Sequence, residues 1–492
     1  MVATHGIMAA GAIAAILPIE CKSSQEVADI CKQACPTLAV VHASTLETMK
    51  DALATCMMTD VQIVVIGQDA KHDPKNGIHS LHKLIEQPRH DAEAMVMDPN
   101  DISFTICTSG TSGPRKLAAI SHGVAALRQS SASYSLITNK AHSYMSCQPI
   151  SLAFGNANAN LGIHQRARTV VCRTPIPFET ICALIERFKV ERTSASLWTL
   201  LDFTHSPVVD KYDLSTLKCI LSSGQHVPDA VMKAVKARIN ADVIAIYGST
   251  ECAAISSRST ADYTLNGSEG KILLGRENLR VVDEDGNDAA VGQPGELWVK
   301  SYKLASVCDN GYYNNPEASA KAFREDGYYR TGDYFVVDND GNYQYRGRMS
   351  DRIRTKGKTV NVTREQSNTK HDGLICVLLT LMMMMMIMQF PPAFLEDLCY
   401  QYSEDIRECC VVGAFSTILG YELPRAYVVL VENSKKDQQA FTDGLVSYVN
   451  NRVPQAEMQL SGGAKCLEKL PLTTSYRVDR YKLRGIAQEE VN

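Results

Sequence analysis

The chain of 492 residues carries no long basic run, and its formal net charge is −4. Nucleic acid and anionic membrane surfaces are therefore not expected partners, because both call for concentrated positive charge. No C-x2-C knuckle occurs among the 16 cysteines. Cys31 and Cys35 stand four apart and Cys409 and Cys410 are adjacent, spacings that do not suit zinc. The thiols read as buried, reduced residues of an intracellular protein. No Lys or Arg precedes the apolar stretch at 7–19, IMAAGAIAAILPI. A secretory leader is not expected there, and the stretch reads as a buried helix followed by a strand. The last residues are EEVN, without the SKL address, so the expected location is cytoplasmic, with peroxisomal as the alternative.

Hydrophobic residues make up 45% and charged residues 21%, a balance that suits a soluble globular protein. The length calls for two or more domains, since a single core does not grow that large. The middle of the chain alternates strand and helix. Thr169–Cys172 reads as a short buried strand. The helix after it puts Ile181, Leu184, Ile185 and Phe188 on one face. Leu217–Leu221 reads as a strand, followed by a helix opening near Pro228 that buries Val231, Val235 and Ile239. Val243–Tyr247 is the next strand. This rhythm predicts an α/β fold with parallel strands. Past Gly347 the pattern restarts on a smaller scale: Glu408–Val412 and Ala426–Val431 read as strands, and Phe441, Leu445, Tyr448 and Val449 form a helical stripe. A boundary is expected near Ser350, dividing a large domain, 1–349, from a smaller α+β domain, 350–492.

At 103–116 the sequence SFTICTSGTSGPRK sets hydroxyls and glycines in front of a lysine. A Walker A loop needs glycine before its lysine and Ser or Thr after it. Here Arg115 and Leu117 occupy those places, so that loop is excluded. The ingredients still suit a phosphate chain. Gly110 and Gly113 let backbone N–H groups approach an anion. Thr108, Ser109, Thr111 and Ser112 add hydroxyls, and Lys116 adds a charge on a flexible stem. Alone, the stretch reads equally well as a solvated linker. Three further motifs follow in order: Tyr247-Gly248-Ser249-Thr250-Glu251 at a strand end, Tyr329-Arg330-Thr331-Gly332-Asp333, and the run from Gly347 to Gly357, GRMSDRIRTKG.

Together these motifs resemble the adenylate-forming superfamily of acyl-CoA synthetases, coumarate–CoA ligases, luciferases and peptide-synthetase adenylation domains. The likeness runs from about Met1 to Arg484. It implies a large N-terminal domain of mixed, mostly parallel sheets with helices, and a smaller, mobile C-terminal domain that swings about a hinge at Ser350. It also implies ATP, Mg²⁺ and coenzyme A as cofactors and co-substrates. By this likeness Thr108, Ser109, Gly110, Thr111, Ser112, Gly113 and Lys116 hold the β- and γ-phosphates. Thr250 contacts the α-phosphate and Glu251 helps hold Mg²⁺. Tyr247, with Gly248 and Ser249 beside it, offers a face to adenine, and Ser223-Gly224-Gln225 meet its edge. Asp333 accepts the ribose hydroxyls, and Arg348 supports ribose or phosphate.

The implied reaction joins a small carboxylic acid to AMP and passes the acyl group to coenzyme A. The segment Pro149–Gly155 contains no acidic residue to pair a substrate ammonium, which would cost several kcal/mol if left bare in a dry pocket. An apolar or aromatic acid is therefore expected. The family often has His where this chain has Leu152. Ala253 and Ala254 suggest room for a bulky tail. A protein that loads a carrier protein instead of coenzyme A, and an impaired relic, are the alternatives.

Three departures from the family pattern stand out. Where the family has a catalytic lysine near its C terminus, this chain has Arg477, preceded by Tyr476 in place of glycine. Arg477 keeps the charge but not the shape, and it reads alternatively as a surface cation. The chain also starts inside the family's large domain. Finally, a low-complexity segment near 362–389 parts Asn361 from Pro391. It includes LICVLLTLMMMMMIMQ at 374–389, whose 15 uncharged residues before Gln389 fall short of the ~20 that span a bilayer. The segment reads as a translated intron, with a membrane-touching insert as the alternative.

Overall fold

The computed structural model describes residues 2–18, 21, 23–67, 70–87, 95–108, 115–129, 141–173, 175–260, 268–300, 311–355, 388–390, 392–419, 421–431, 434, 436–473 and 477–491. The chain separates into two compact units. The first comprises Met1–Val227, Met232–Arg280 and Leu297–Thr331, and the second Pro228–Val231, Val281–Glu296 and Gly332–Asn492.

The first unit opens with α1 (Val2–Ala9), β1 (Ala14–Ile16), α2 (Ser24–Ala34), β2 (Leu38–His42), α3 (Leu46–Thr55), β3 (Gln62–Ile66) and β4 (Ile78–Ser80). Strands β2, β3 and β4 form a parallel sheet. Helices α2 and α3 pack their apolar faces on it through Val27, Ala28, Leu46, Met49 and Leu53. The capping box of Ser23 and Glu26 starts α2, each side chain satisfying a backbone N–H of the other residue. Helix α1 differs from expectation, for none of its residues is buried. Only Ile7 and Met8 pack in part against Phe104 and Ile106, while Val2 is 89% exposed. Its apolar residues ring the helix instead of forming one stripe, so a single packing partner cannot cover them.

Next come β5 (Ile102–Cys107), β6 (Leu117–Ser121), α4 (His122–Gln129), β7 (Ser143–Ser146), α5 (Ala153–His164), β8 (Arg168–Val171), α6 (Phe178–Phe188), β9 (Arg192–Ala195), α7 (Leu197–His205), β10 (Cys219–Ser223), α8 (Asp229–Ile239), β11 (Asp242–Ser249), β12 (Ala253–Ser259) and β13 (Lys271–Ile272). A seven-stranded sheet takes the order β13-β12-β11-β10-β9-β7-β8. Strands β8, β7, β9, β10 and β11 run parallel, and β12 and β13 return antiparallel. The central strands are apolar on both faces, as helices on both sides require: Ile220, Leu221 and Val243 are fully buried. The strand expected at Thr169–Cys172 is instead half-exposed along Arg168–Val171. Among the described residues it is the sheet edge and pairs with β7 alone. In α8 the buried face is Val231, Met232 and Val235, while Ile239, in the last turn, is half-buried.

A four-stranded sheet of β14 (Leu279–Val282), β15 (Pro294–Val299), β16 (Tyr329–Val337) and β17 (Tyr343–Arg348) follows in that order. The second unit continues with β18 (Ile353–Thr355), β19 (Met388–Phe390), α9 (Ala393–Tyr402), β20 (Ile406–Ser416), β21 (Tyr421–Leu430), α10 (Gln438–Asn450), β22 (Ala464–Cys466) and α11 (Arg480–Val491). The two strands expected here are a long hairpin, β20 with β21, bordered by β22. Phe441, Leu445 and Val449 seat α10 on the sheet beside Val411 and Val428, at the spacing read from the sequence, with Tyr448 at the margin. Met388 and Gln389, assigned from sequence to the intervening segment, pair with Thr355 and Arg354. The remainder of that segment, 362–387, lies outside the described residues. No described helix is long and apolar enough to cross a membrane.

Candidate active site

In the first unit two strand turns carry the expected residues. Strands β5 and β6 pair antiparallel, and Thr108 N–H donates to the Lys116 carbonyl at 2.8 Å, closing the base of the loop. Ser109, Gly110, Thr111, Ser112 and Gly113 lie outside the described residues. The segment at Gly311–Tyr313 runs along the far edge of β6, with Ala119 N–H donating to Gly311 and Tyr313 N–H to Leu117. This brings Tyr312 under Lys116, whose Nζ lies 4.9 Å from the ring centroid.

The second turn joins β11 to β12. The register shifts between Tyr247 and Gly248. A Cβ on Gly248 would stand 2.0 Å from the Ala253 carbonyl oxygen, so only glycine permits this close return. Ala253 itself turns the chain with φ 59°. The Ser249 hydroxyl accepts from Cys252 N–H at 3.3 Å. Arg128, on α4, clamps the turn by donating to the carbonyls of Thr250, at 2.9 Å, and Glu251.

Glu251 is only 6% exposed, and its Oε1 accepts a 2.5 Å hydrogen bond from the Tyr312 hydroxyl. Burial and the Glu251 charge both push the Tyr312 phenol far above its ordinary pKa, so it stays protonated and donates. Lys116, Tyr312 and Glu251 thus form one contact chain, 61 residues separating its last two members. A buried carboxylate suits a hard divalent cation, which would offset its desolvation.

Beside this turn, β10 ends at Ser223, paired with Ile246 of β11. Gly224 takes φ 94°, a conformation that favours glycine. The Gln225 Nε2 donor is buried and has no hydrogen-bond partner among the described residues. Helix α5 presents Phe154, Ala157 and Leu161 to Tyr144, Leu221, Ile244, Ile246 and Ala254. This apolar cluster contains residues of the Pro149–Gly155 segment and of the stretch just past Glu251. Ala254 belongs to it; Ala253 serves the turn.

The second unit holds the remaining expected residues. Asp333, 5% exposed, faces Arg348 across the β16–β17 register, with Arg348 Nε 2.9 Å from its Oδ1. Gly332 has φ 70°, and its N–H donates to Glu296 at 3.1 Å. Arg477 stands next to this pair. Loss of solvent and the adjacent Arg348 guanidinium push its pKa below the ordinary arginine value, with Tyr345 and Asp333 opposing. Arg477 is half-buried. Ser350 donates to Asp351 at 3.3 Å, and Arg480 binds Glu396 through two oxygens at 2.7 and 2.9 Å. Tyr312, Arg128 and Tyr345 had no signal in the sequence, because each acts across a long stretch of chain and none belongs to a short motif.

Residues 1–313 match the model of the AMP-binding enzyme family, and residues 399–477 match the family's C-terminal domain. The chain belongs to the AMP-binding enzyme family. Family relatives include a probable 4-coumarate–CoA ligase 2 of Dictyostelium discoideum, 25% identical over 83% of this chain and 68% of its own length. Two further probable 4-coumarate–CoA ligases of that organism are spanned over only 61% and 41% of theirs. A mitochondrial medium-chain acyl-CoA ligase of Macaca fascicularis is 24% identical over 98% of this chain and 72% of its own. Among solved structures, an anthranilate CoA ligase in complex with anthranoyl-AMP superposes with a TM-score of 0.80 at 22% identity, covering 99% of this chain and 85% of that one. ATP-bound MatB from Rhodopseudomonas palustris gives 0.78 at 19% identity, covering 99% and 86%. These likenesses show the adenylate-forming fold.

Proposed function

We propose that the protein activates an apolar or aromatic carboxylic acid with ATP and transfers the acyl group to coenzyme A. The observation that carries this reading is the contact chain from Lys116 through Tyr312 to the buried Glu251, clamped from behind by Arg128. A cation, a protonated donor and a carboxylate at adjoining strand ends are the parts that phosphate chemistry needs, since catalysis there is mostly positioning and charge neutralisation.

In the first half-reaction a substrate carboxylate oxygen bonds to the α-phosphorus, the bond from that phosphorus to the bridging oxygen breaks, and pyrophosphate leaves. Lys116 and the Thr108–Lys116 loop take the departing phosphates. Thr250, fixed by Arg128, meets the α-phosphate. Glu251 would hold Mg²⁺, which supplies charge neutralisation to the phosphates when bound. Gln225 and Tyr247 take adenine, Asp333 takes the ribose hydroxyls, and Arg348 and Arg477 add positive charge. In the second half-reaction the sulfur of coenzyme A bonds to the acyl carbon, the bond to AMP breaks, and the thiol proton passes to solvent.

The apolar cluster around Phe154 and Ala254 supports an acid without an ammonium. Loading of a carrier protein is the competing acceptor chemistry. Arg477 favours a second reading, a slow first half-reaction, because a planar guanidinium replaces a compact ammonium there. Pyrophosphate release should be measured with a panel of acids, with and without coenzyme A. Release with aryl or alkyl acids and thioester formation are expected. Activity with amino acids alone would exclude the first reading, and silence with all acids would leave the impaired one.

A further inference from the structure

Three charged or titratable groups are buried together behind the expected adenine-edge turn. Arg258, on β12, is 2% exposed, Glu269 is 6% exposed, and the His226 side chain is 17% exposed. His226 Nδ1 lies 3.5 Å from Glu269 Oε1. Burial pushes the Glu269 carboxyl up, but the Arg258 guanidinium and then His226 outweigh it and hold the group below its ordinary value. Arg258 also donates to the carbonyl of Val227. The chain goes out of its way to build this contact. Gly270 takes φ 75°, and a Cβ there would stand 2.3 Å from the Ser257 carbonyl and 2.7 Å from Arg258 Cβ. Only glycine lets the Glu269 segment lie against β12.

Both arms of the network end on one short stretch. Glu269 reaches it at His226 and Arg258 at Val227, the two residues after Gln225. Holding them narrows the arc that Gln225 can sweep. Its buried, unpartnered Nε2 donor then has a fixed place to meet an acceptor. Apolar side chains of similar volume would serve stability at least as well as these buried polar groups.

We propose that Arg258, Glu269 and His226 form a buried brace that positions the Ser223–Gln225 turn against the base edge of a purine nucleoside triphosphate. They are positioning residues, and the claim rests on the nucleotide reading above. The test is ATP and GTP binding by calorimetry on the full chain, with KM for ATP and for the acid and with melting temperature. In Glu269→Gln, ATP affinity should fall about tenfold, the scale of a small misplacement. The preference for ATP over GTP should narrow, and KM for the acid should stay within about twofold. Combining Arg258→Met with Glu269→Gln removes the lone buried charge. Its melting temperature should return toward the wild type while ATP affinity stays weak. Recovery of both together would make the network merely structural and overturn the proposal, as would unchanged ATP affinity in Glu269→Gln beside a wild type that binds ATP. A wild type that binds neither nucleotide would overturn the underlying reading and the brace with it.

Discussion

Lys116 and Arg477 are two cations with the same expected customer, and the two units keep them in opposite ways. The Lys116 ammonium rests over the face of Tyr312, a neutral ring whose hydroxyl is committed to Glu251. Such a contact holds a cation by about 0.5–2 kcal/mol, enough to place it and too little to prevent its moving to a phosphate. Among the described residues Arg477 has no aromatic face of this kind. Burial and Arg348 both disfavour its charge, and Asp333 is shared with Arg348. One unit stores its cation against a polarisable surface, and the other crowds two guanidinium groups around a single carboxylate. An anionic ligand would relieve the second arrangement more than the first.

The sharpest way to break this comparison is to remove Glu251. Glu251→Gln should lower pyrophosphate release by about 100-fold or more, the scale of losing a group aimed at developing charge. It should also lower the Tyr312 phenol's pKa, with burial still holding it above the ordinary value. An active Glu251→Gln protein would remove the carboxylate from the chemistry. Next in size, Lys116→Met should cost about 100-fold in kcat/KM and Arg477→Met about tenfold, with Arg477→Lys at or above the parent rate. The reverse order of the two methionine variants would make Arg477 the main phosphate cation.

A smaller effect concerns the charge of Glu269 in the first unit. The Glu269 carboxyl is held below its unfolded value. Its stabilising contribution is therefore complete above the unfolded pKa of about 4.3 and is lost as pH falls through the folded value. Melting temperature followed from pH 6 to pH 3 should fall less steeply in Glu269→Gln than in the parent; identical slopes would contradict the assigned charge state. Smallest of all is deletion of 362–389. The residues before Phe390 would then be Val360 and Asn361, which can take the places of Met388 and Gln389 opposite Thr355 and Arg354. The melting temperature should shift by no more than about 2 °C. A large drop would show that the segment belongs to the fold. Sequencing the cDNA answers the same question at the level of the message.

The parts of the fold legible in the sequence were those whose pattern is local. The stripes in α6 and α10 and the apolar runs of β10 and β11 follow from period and burial. Gly248 and Gly332 were readable as motif members, and the structure supplies their reasons: a carbonyl 2.0 Å from a would-be Cβ in one case, a positive φ in the other. Edge position was not legible. Nothing in Arg168–Val171 says that β8 has one neighbour, because strand order is set by crossovers elsewhere. Nor was the partial burial of α1, which depends on what surrounds it.

By itself the sequence determined which residue types could grip a nucleotide and in what order they occur, because short motifs encode local turns, donors and charges. Only the tertiary structure decided that Tyr312 links Lys116 to Glu251, that Arg128 clamps the turn, and that Glu269 reaches His226 and Arg258 reaches Val227 just past Gln225. Those contacts join segments far apart along the chain. They arise from strand pairing and close packing, and no short run of residues carries them.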